Sequence, residues 1–556
     1  MLLGIDVGGT HTDAVVIDEK GIRAEAKVPT DHDNLLRSIR HSIRAVMDGV
    51  DPAAVGRLNL STTLSTNAIV EGKTEEVGLI VSSGPGVDPE YHRVGGQFHV
   101  VDGCIDHRGA EIAALDLEQL DAAVDQCRQA GIRVFAAVTK FSTRNPDHER
   151  QIAGAIQAEG AADFITTGHA LSGILNFPRR LATAYFNSAV WRTYNDFAWA
   201  VEESLEEFGL SPEVNILKAD GGTMPMARSR AVPVESILSG PAASVMGIMA
   251  LNDIRHDCVI LDIGGTTTDI AVFADGSPII EDRGMTLGSY PTLVQALKVR
   301  SIGIGGDSAL HVSQVHGVTV GPERKGPSMA AGGSEPTLTD AMNCLGITEV
   351  GDIAASIDGV RRLAKLWDMI PEKLCTRAVD YAVKAMAKAV DDLVHEINDR
   401  PVYTIFELLK DKKVRPRRAF VMGGPAKAFA QLLPDALGMK VRLTPHFGVA
   451  NAVGAALTRT TMDVELFADT QKRRLFIPNL EISREIPGSY SLEDAEADAR
   501  RALLEHLRGL DVEATEDQAE ITESGSFNMV DGMMPAGRNI RVKCQIRPWV
   551  LRRLKT

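Results

Sequence analysis

Aromatic residues and cysteines are both scarce in this chain. Phe, Trp and Tyr make up 5% of the 556 residues, so we expect a core built mostly from Ala, Val, Ile and Leu. None of the six cysteines forms a Cys-x-x-Cys pair, which argues against a zinc ribbon and a disulfide framework. Reduced thiols are typical of cytosolic proteins, and we therefore predict a cytoplasmic location.

Long apolar runs and an excess of positive charge are also missing. No stretch approaches about 18 consecutive apolar residues, so no transmembrane helix is predicted. The chain starts Met-Leu-Leu-Gly-Ile-Asp, without the basic segment that begins a signal peptide. The formal net charge is -15, and an acidic surface repels phosphate backbones and anionic lipid heads. We predict neither nucleic-acid nor membrane binding, but a nest of backbone N–H groups still allows a bound nucleotide.

The chain contains a short internal repeat. Residues 5–16 read Ile-Asp-Val-Gly-Gly-Thr-His-Thr-Asp-Ala-Val-Val, and residues 261–272 read Leu-Asp-Ile-Gly-Gly-Thr-Thr-Thr-Asp-Ile-Ala-Val. Each copy is an apolar strand, an Asp, a Gly-Gly turn, hydroxyl residues, a second Asp and another apolar strand. This pattern predicts two β-hairpins with tips rich in N–H and O–H donors.

These residue types suit contact with phosphate. Gly lets the backbone approach a bulky anion, successive N–H groups form an anion nest, and Thr hydroxyls add donors. A carboxylate beside phosphate is expected to hold Mg²⁺ through water or to orient a water molecule. A single Gly-Gly turn is often only a turn, but two matched copies in 556 residues predict two similar lobes that present phosphate loops to a shared cleft.

The layout resembles that of the actin, hexokinase and Hsp70 superfamily, in which five short motifs surround ATP. The candidates are phosphate loops at residues 8–13 and 262–269, connecting segments rich in small residues at 239–247 and 447–456, and an adenosine motif at 419–426. The resemblance implies an α/β fold of the two-lobed actin-like ATPase (ribonuclease H-like) kind with a cleft between the lobes.

More of the chain resembles the hydantoinase/oxoprolinase family, in its hydantoinase A-like branch. The matching segments cover roughly residues 1–460 and include Ser-Thr-Thr-Leu-Ser-Thr-Asn-Ala-Ile at 61–69, Asn-Pro-Asp-His-Glu at 145–149, Glu-Ser-Ile-Leu-Ser-Gly-Pro-Ala at 235–242, Val-Gly-Pro-Glu at 320–323 and Glu-Pro-Thr-Leu-Thr-Asp-Ala at 335–341. The family implies ATP and Mg²⁺ as cofactors and a small cyclic amide as substrate. It also suggests a second hydantoinase-type subunit or a homo-oligomer.

The resemblance implies roles for residues at the matching positions. Asp6 and Asp262 are predicted to position Mg²⁺ or its waters, and Asp13 and Asp269 to act on water or metal. The residues predicted to contact the nucleotide are Gly8, Gly9, Thr10, Thr12, Gly264, Gly265, Thr266, Thr267, Gly305, Gly306, Gly423 and Gly424.

The third Gly-rich turn and Asn67 each have two possible roles. Gly305, Gly306 and Asp307 lie in a third Gly-rich turn, which is either a phosphate or substrate contact or a tight structural turn. Asn67 is a substrate candidate or a helix cap.

Residues 298–301 depart from the family pattern. Where the family often carries Asp-x-His-Thr, this chain reads Lys-Val-Arg-Ser. Lys298 and Arg300 alternate onto one side of a predicted strand, where they would bind a substrate carboxylate or form a solvated or salt-bridged strand end.

We predict three domains: residues 1–185 with the first phosphate loop, 186–460 with the second loop and the adenosine motif, and 461–556 as a small α/β appendage. Residues 440–460 are a segment able to pack back on the first lobe. In the appendage, a helix is predicted from Ser491, with Asp494 at its third position, and a strand over residues 540–546.

The predicted function is ATP-dependent hydrolysis of a lactam or hydantoin after phosphorylation of its carbonyl. Two alternatives are an ATP-dependent carboxylase or kinase of another small oxo-compound, and a non-enzymatic switch driven by ATP.

Overall fold

The computed structural model describes residues 1–31, 33–160, 162–281, 283–399, 413–531 and 534–555. The α-helices of this part are α1 (Leu35–Val46), α2 (Leu64–Val70), α3 (Leu117–Gln129), α4 (Asp147–Ala158), α5 (Gly168–Leu171), α6 (Phe177–Glu207), α7 (Met226–Ser229), α8 (Ser239–Leu251), α9 (Leu338–Cys344), α10 (Ile353–Leu366), α11 (Pro371–Asn398), α12 (Ala426–Leu437), α13 (Ala450–Leu457) and α14 (Leu492–Gly509). Among these described helices, none combines the length and the apolar character that a bilayer crossing needs.

The β-strands are β1 (Leu2–Val7), β2 (His11–Asp18), β3 (Gly21–Pro29), β4 (Arg57–Thr62), β5 (Val77–Ser82), β6 (Phe98–Val100), β7 (Cys104–Ile105), β8 (Glu111–Ala113), β9 (Val134–Thr139), β10 (Phe164–Thr167), β11 (Glu213–Leu217), β12 (Thr223–Pro225), β13 (Cys258–Ile263), β14 (Thr268–Ala274), β15 (Ser277–Pro278), β16 (Thr286–Leu287), β17 (Tyr290–Pro291), β18 (Val299–Ile302), β19 (Leu310–Ser313), β20 (Gly317–Val320), β21 (Arg418–Met422), β22 (Lys440–Leu443), β23 (Asp463–Asp469), β24 (Arg474–Ile477), β25 (Ile482–Glu485), β26 (Ala519–Asp531) and β27 (Met534–Ile546).

Two sheets share one topology. The first has the order β3-β2-β1-β4-β11-β12, and the second has the order β15-β14-β13-β21-β22, with β18 added beside β14. In each, an antiparallel hairpin is followed by parallel strands. The central strands are buried along almost their whole length, as expected where helices cover both faces. This duplicated α/β architecture confirms the predicted two-lobed actin-like fold.

The repeat occupies equivalent places in the two sheets. Asp6 lies opposite Asp13 in the first hairpin, and Asp262 lies opposite Asp269 in the second. The sequence repeat is therefore also a repeat of strand register.

Helices α8 and α13 pack against each other through glycine. A Cβ atom added to Gly247 would lie 2.1 Å from the carbonyl oxygen of Ala450, and one added to Gly454 would lie 2.0 Å from that of Ala243. Any side chain at these positions would force the helices apart, so the small residues of the two connecting segments have a steric role. Helix α13 also contacts β1, where Gly4 meets the carbonyl oxygen of Ala452.

The first sheet extends further along the chain than predicted. Helix α6 runs through the boundary predicted between residues 185 and 186, and β11 and β12 complete the sheet of the first hairpin. A cut at residue 185 would divide a helix, so the boundary belongs after β12. A parallel sheet of order β10-β9-β5-β6 is inserted before α6.

The last part of the chain forms a five-stranded sheet of order β25-β24-β23-β27-β26, with α14 packed on it. Ser491 and Asp494 form a capping box at the start of α14, as predicted. Residues 540–546 lie in β27, also as predicted. The chain then returns to the lobes, where the N–H group of Leu551 donates to the carbonyl oxygen of Leu457 over 2.7 Å.

Candidate functional site

The tips of the two hairpins have the same backbone geometry. The Gly8 N–H group donates to the carbonyl oxygen of His11 over 3.0 Å, and the Gly264 N–H group donates to that of Thr267 over 2.9 Å. Each tip thereby closes into a short turn after its Gly-Gly pair. Gly8 and Gly264 hold the turns closed with their own N–H groups, so these two donors are not available to a phosphate.

The next two N–H groups in each turn remain available. Those of Gly9 and Thr10 in the first turn, and of Gly265 and Thr266 in the second, donate no hydrogen bond within the described residues. The two tips face each other, since a Cβ atom added to Gly265 would lie 3.4 Å from Thr10 Oγ1. Four free donors at facing turns form an arrangement that suits a polyphosphate.

The first hairpin holds two buried carboxylates. Lys27, on β3, donates to both oxygens of Asp13 over 2.7 and 2.9 Å. Burial raises the pKa of Asp13 to about 6, against the opposing effect of Lys27. Burial raises the pKa of Asp6 further, to about 7, and the charges of Asp13 and Asp262 add to the shift. Asp6 Oδ1 is buried and has no hydrogen-bond partner.

The second hairpin repeats this arrangement. Asp262 Oδ2 accepts a hydrogen bond of 2.6 Å from Ser244 on α8 and a longer one, of 3.4 Å, from Asn451 on α13. Burial raises the pKa of Asp262. Burial and the nearby charge of Asp262 raise the pKa of Asp269 to about 6. The charge of Asp262 thus raises the pKa values of the other three aspartates, and the repulsion among these carboxylates lacks a full counter-charge.

This site suits a hydrated divalent cation that is shared with a phosphate. A cation would relieve the raised pKa values and would give Asp6 Oδ1 a partner. Within the described ranges, no group of three Asp, Glu, His or Cys side chains is arranged to hold a metal ion directly. Mg²⁺ commonly keeps several waters and uses one or two carboxylates together with substrate phosphates, and the residues present fit that mode.

Burying the charged Asp6 carboxylate near other carboxylates destabilises the fold, so replacing Asp6 should raise stability in a pH-dependent way. We expect Asp6→Asn to raise the free energy of unfolding of the nucleotide-free protein by on the order of 3 kcal/mol at pH 8. The pKa of Asp6 is about 7 in the folded protein, and its ordinary value is 3.8. The destabilisation caused by the buried Asp6 carboxylate is therefore absent below the ordinary pKa and complete only above the folded-state pKa. Urea unfolding at pH 5 and pH 8 measures the effect, which should be smaller at pH 5. An equal gain at both pH values would contradict the shift.

The third Gly-rich turn lies directly beneath the second phosphate loop. The Gly306 N–H group donates to the carbonyl oxygen of Gly264 over 2.9 Å, and that of Gly305 donates to Ser308 Oγ over 2.8 Å. Because both N–H groups are engaged, neither is free to donate to a phosphate. A phosphate or substrate contact of Gly305 and Gly306 by other atoms remains a prediction. The tight structural turn is the alternative that the structure shows.

Asp307 of that turn does reach the cleft. Its Oδ2 atom lies 2.7 Å from a Cβ atom added to Gly265 and accepts a hydrogen bond of 3.2 Å from Arg324. Burial raises the pKa of Asp307, and Arg324 opposes the shift. Burial lowers the pKa of His11 on the facing tip, with contributions from the charges of Lys27 and Arg324. Both cations therefore border the cleft.

Sequence reasoning missed Lys27 and Arg324. Lys27 is the register partner of Asp13 on β3, so following the first hairpin for one more strand would have found it. Arg324 directly follows the Val-Gly-Pro-Glu segment, where no periodicity indicated the direction of its side chain.

Two of the predicted threonines have different surroundings. Thr12 is fully buried and its hydroxyl group pairs with that of Thr30 at 3.0 Å, so the predicted nucleotide contact of Thr12 is wrong. Thr267 is exposed at the opposite tip, and its role remains a prediction.

Gly423 and Gly424 of the adenosine motif differ in role. Gly423 has a φ of 94°, and a Cβ atom there would lie 2.2 Å from the carbonyl oxygen of Ile263 and 2.8 Å from Asp262 Oδ1. Only glycine fits this position between β21 and the second phosphate loop. Gly424 is exposed and has open space beside it, which leaves room for a ligand next to the start of α12.

Asn67 lies within α2, and the N-cap residue of that helix is Thr63. The capping alternative is therefore wrong. The Asn67 side-chain amide reaches Thr63 Oγ1 at 3.3 Å, and its role toward a substrate remains a prediction.

Lys298 and Arg300 do share one side of their strand, as predicted, but that side faces carboxylates of the second lobe. Lys298 pairs with Glu281 and Glu396, and Arg300 pairs with Glu396 on α11. Their charges are already compensated, so the predicted substrate-carboxylate site is wrong. The salt-bridged strand end is the alternative that the structure shows.

Comparison with known proteins adds a family relationship to this geometry. Residues 180–464 match the family model described as Hydantoinase/oxoprolinase, and residues 2–160 match that of the Hydantoinase/oxoprolinase N-terminal region. Caprolactamase subunit alpha of Pseudomonas jessenii is 28% identical over 479 residues, which cover 80% of this chain and 68% of that protein.

Two further relatives are matched over less of their own length. The acetophenone carboxylase gamma subunit of Aromatoleum aromaticum is 24% identical over 390 residues, covering 62% of this chain and 53% of that protein. 5-oxoprolinase 1 of Arabidopsis thaliana is 26% identical over 368 residues, covering 60% of this chain but only 28% of the plant protein.

Two solved structures share the fold. The crystal structure of the ATP-dependent caprolactamase from Pseudomonas jessenii superimposes with a TM-score of 0.71 at 20% identity and covers 98% of this chain and 87% of that one. Nucleotide-free acetone carboxylase superimposes with a TM-score of 0.69 at 16% identity, over 99% of this chain and 87% of that one.

Proposed function

Because the chain belongs to the hydantoinase/oxoprolinase family, we propose that it uses ATP to phosphorylate the carbonyl oxygen of a cyclic amide before hydrolytic ring opening. The observation that carries the proposal is the pair of facing hairpin tips with four free N–H donors beside four aspartates whose pKa values are raised. The family relatives named as a caprolactamase and a 5-oxoprolinase support a lactam as the substrate class.

Phosphorylation would make the amide carbonyl reactive enough for hydrolysis. An amide carbonyl is a poor electrophile, so water attacks it slowly. In the proposed reaction, the carbonyl oxygen forms a bond to the γ-phosphorus of ATP and ADP leaves. Water then adds to the activated carbon and the ring C–N bond breaks. A second water cleaves the bond between that carbon and the phosphorylated oxygen, which releases phosphate and the amino acid.

The residues of the chain have distinct proposed roles. The N–H groups of Gly9, Thr10, Gly265 and Thr266 hold phosphate oxygens, and Gly424 borders the adenosine. A bound Mg²⁺, positioned by Asp6 and Asp262, would supply positive charge to the transferring phosphoryl group. Asp13 and Asp269 would orient water beside the transferring phosphoryl group. Preorganised donors of this kind stabilise charge as it develops in the transition state.

A second candidate function is ATP-dependent activation of a small ketone for carboxylation. The matched acetophenone carboxylase gamma subunit favours it, and the first step, phosphorylation of a carbonyl oxygen, is the same. The alpha and gamma subunit names of the relatives also support a partner subunit for this chain. A cytoplasmic location remains a prediction.

A screen of phosphate release tests the proposal. We expect lactams or hydantoins to stimulate ATP turnover at least about 10-fold above the basal rate, because an acceptor completes the closed site. ADP and ring-opened product should form in equal amounts. Small ketones with bicarbonate are the second arm of the screen. Stimulation by a protein alone, with no small molecule active, would point instead to a conformational switch.

A further inference from the structure

A cavity of about 180 Å³ lies between the inserted parallel sheet and the C-terminal sheet. Residues 142–147, at the start of α4, line one wall, and residues of β24 and β25 line the other. None of its lining residues belongs to either hairpin. The cavity is therefore separate from the cleft described above.

The lining of this cavity is strongly basic. It includes the five cations Arg108, Arg144, Arg150, Lys472 and Arg474, and only the two carboxylates Asp147 and Glu481. The chain as a whole carries a net charge of -15. Arg108 pairs with Asp469, and Arg150 pairs with Asp147. The other three cations still give the lining an excess of positive charge, which suits an anionic ligand.

Arg144 is the buried cation of this wall. Its side chain is 4% exposed, its guanidinium group stacks 3.4 Å from the ring centre of Phe467, and its Nε atom has no hydrogen-bond partner. No carboxylate lies within ion-pair distance of it in the described residues. Burial lowers the pKa of Arg144 to about 9, the nearby charge of Arg541 adds to the shift, and the charge of Glu465 opposes it. A buried charge without an ion-pair partner is costly, and a bound anion would reduce that cost.

His169 supplies a second polar atom without a partner. Its Nδ1 atom lies 2.6 Å from Glu149 Oε2, and the other oxygen of Glu149 accepts from the Thr139 N–H group over 2.8 Å. Glu149 is fully buried and thus fixes the imidazole ring. The His169 Nε2 atom is buried without a hydrogen bond, on the side of the ring where the carboxylate of Glu481 lies 4.0 Å away.

Thr143 completes this set of unpartnered groups. Its hydroxyl group is buried, has no hydrogen-bond partner and belongs to the same cavity wall as Arg144. Buried polar groups are almost always satisfied in folded proteins. A ligand in this cavity would give partners to three such groups from its lining residues.

We propose that this cavity binds a small molecule carrying an oxyanion, either a carboxylate or a phosphate. Arg144 provides the charge, and the Thr143 hydroxyl group donates a hydrogen bond. His169 Nε2 donates a second one when the ring is an imidazolium, because the Nδ1 proton is already held by Glu149. The volume of about 180 Å³ is below the roughly 300–1,000 Å³ of sites for drug-sized ligands. The ligand is therefore a compact metabolite or an anionic group at the end of a longer molecule.

Isothermal titration calorimetry on the full chain tests the proposal with three probes: inorganic phosphate, butyrate and glutarate. We expect at least one probe to bind the wild type with a dissociation constant of 1 mM or tighter, where a constant of about 1 mM corresponds to weak but measurable binding. Arg144→Met and His169→Gln should each weaken that binding by roughly 10-fold or more, because a hydrogen bond to a charged group is lost. The preferred probe identifies the group as phosphate or carboxylate.

Two further variants keep the test independent of folding. Arg474→Met changes an exposed residue of the same lining and should weaken binding by a smaller factor without disturbing the core. Arg40→Met removes an arginine that pairs with Glu207 in the first lobe, and it should leave probe binding unchanged. Failure of all three probes to bind the wild type would overturn the proposal. So would equal losses in Arg40→Met and Arg474→Met, because they would indicate a general effect of charge.

Discussion

Asp262→Asn is expected to lower ATP turnover by roughly tens-fold or more while the chain remains folded. Asn is nearly isosteric with Asp and can still accept the hydrogen bond that Ser244 donates to Oδ2 over 2.6 Å. The substitution therefore removes a charge from the meeting point of the two hairpins with little change in packing. The loss should fall on the phosphoryl-transfer step, where that charge is proposed to position Mg²⁺.

Nucleotide affinity distinguishes this cause from a general defect. In the wild type, Mg²⁺ should tighten ATP binding relative to EDTA, and in Asp262→Asn most of that gain should disappear while binding in EDTA stays the same. Asp18→Asn is a matched control, because Asp18 lies at the far end of the first hairpin and accepts hydrogen bonds from the turn that follows. Wild-type turnover by Asp262→Asn would show that the second hairpin does not serve the nucleotide.

The two hairpins were predictable because their information is local. The Asp, Gly-Gly and Thr spacing recurs in both copies, and backbone pairing converts that spacing into the same register, Asp6 opposite Asp13 and Asp262 opposite Asp269. The small residues of α8 and α13 were informative for a similar reason, since only glycine permits the contact at Gly247 and Gly454.

The direction in which side chains point across distant elements was not predictable. Strand alternation placed Lys298 and Arg300 on one side, but it did not show that Glu396, almost 100 residues later on α11, covers that side. The same holds for Arg324, whose contact with Asp307 depends on how two loops cross. These contacts are set by tertiary packing, which a strand pattern does not encode.

The glycines of the third turn show a related limit. Gly305 and Gly306 have the composition of a phosphate loop, but their N–H groups are used within the protein. The glycine content indicates a turn whose backbone lies close to another group, but it does not show whether that group is a ligand or a protein segment. Only the structure shows that the neighbour of Gly306 is the second phosphate loop itself.

If ATP activates a carbonyl oxygen by phosphorylation, an isotope label on that oxygen should move completely into phosphate. If that oxygen bonds to the γ-phosphorus and leaves with it, then each turnover must carry one substrate oxygen into inorganic phosphate. Hydrolysis that uses ATP only to move the lobes would leave the carbonyl oxygen in the ring-opened product. The two routes consume the same ATP and are separated only by the position of the label.

The most direct measurement follows ¹⁸O from the carbonyl of whichever cyclic amide stimulates ATP turnover, using mass spectrometry of both products in unlabelled water. We expect one ¹⁸O atom in the phosphate for each ring opened, with unlabelled carboxylate at the new carboxyl group. Label found wholly in the organic product, with unlabelled phosphate, would contradict carbonyl phosphorylation and release by cleavage at carbon.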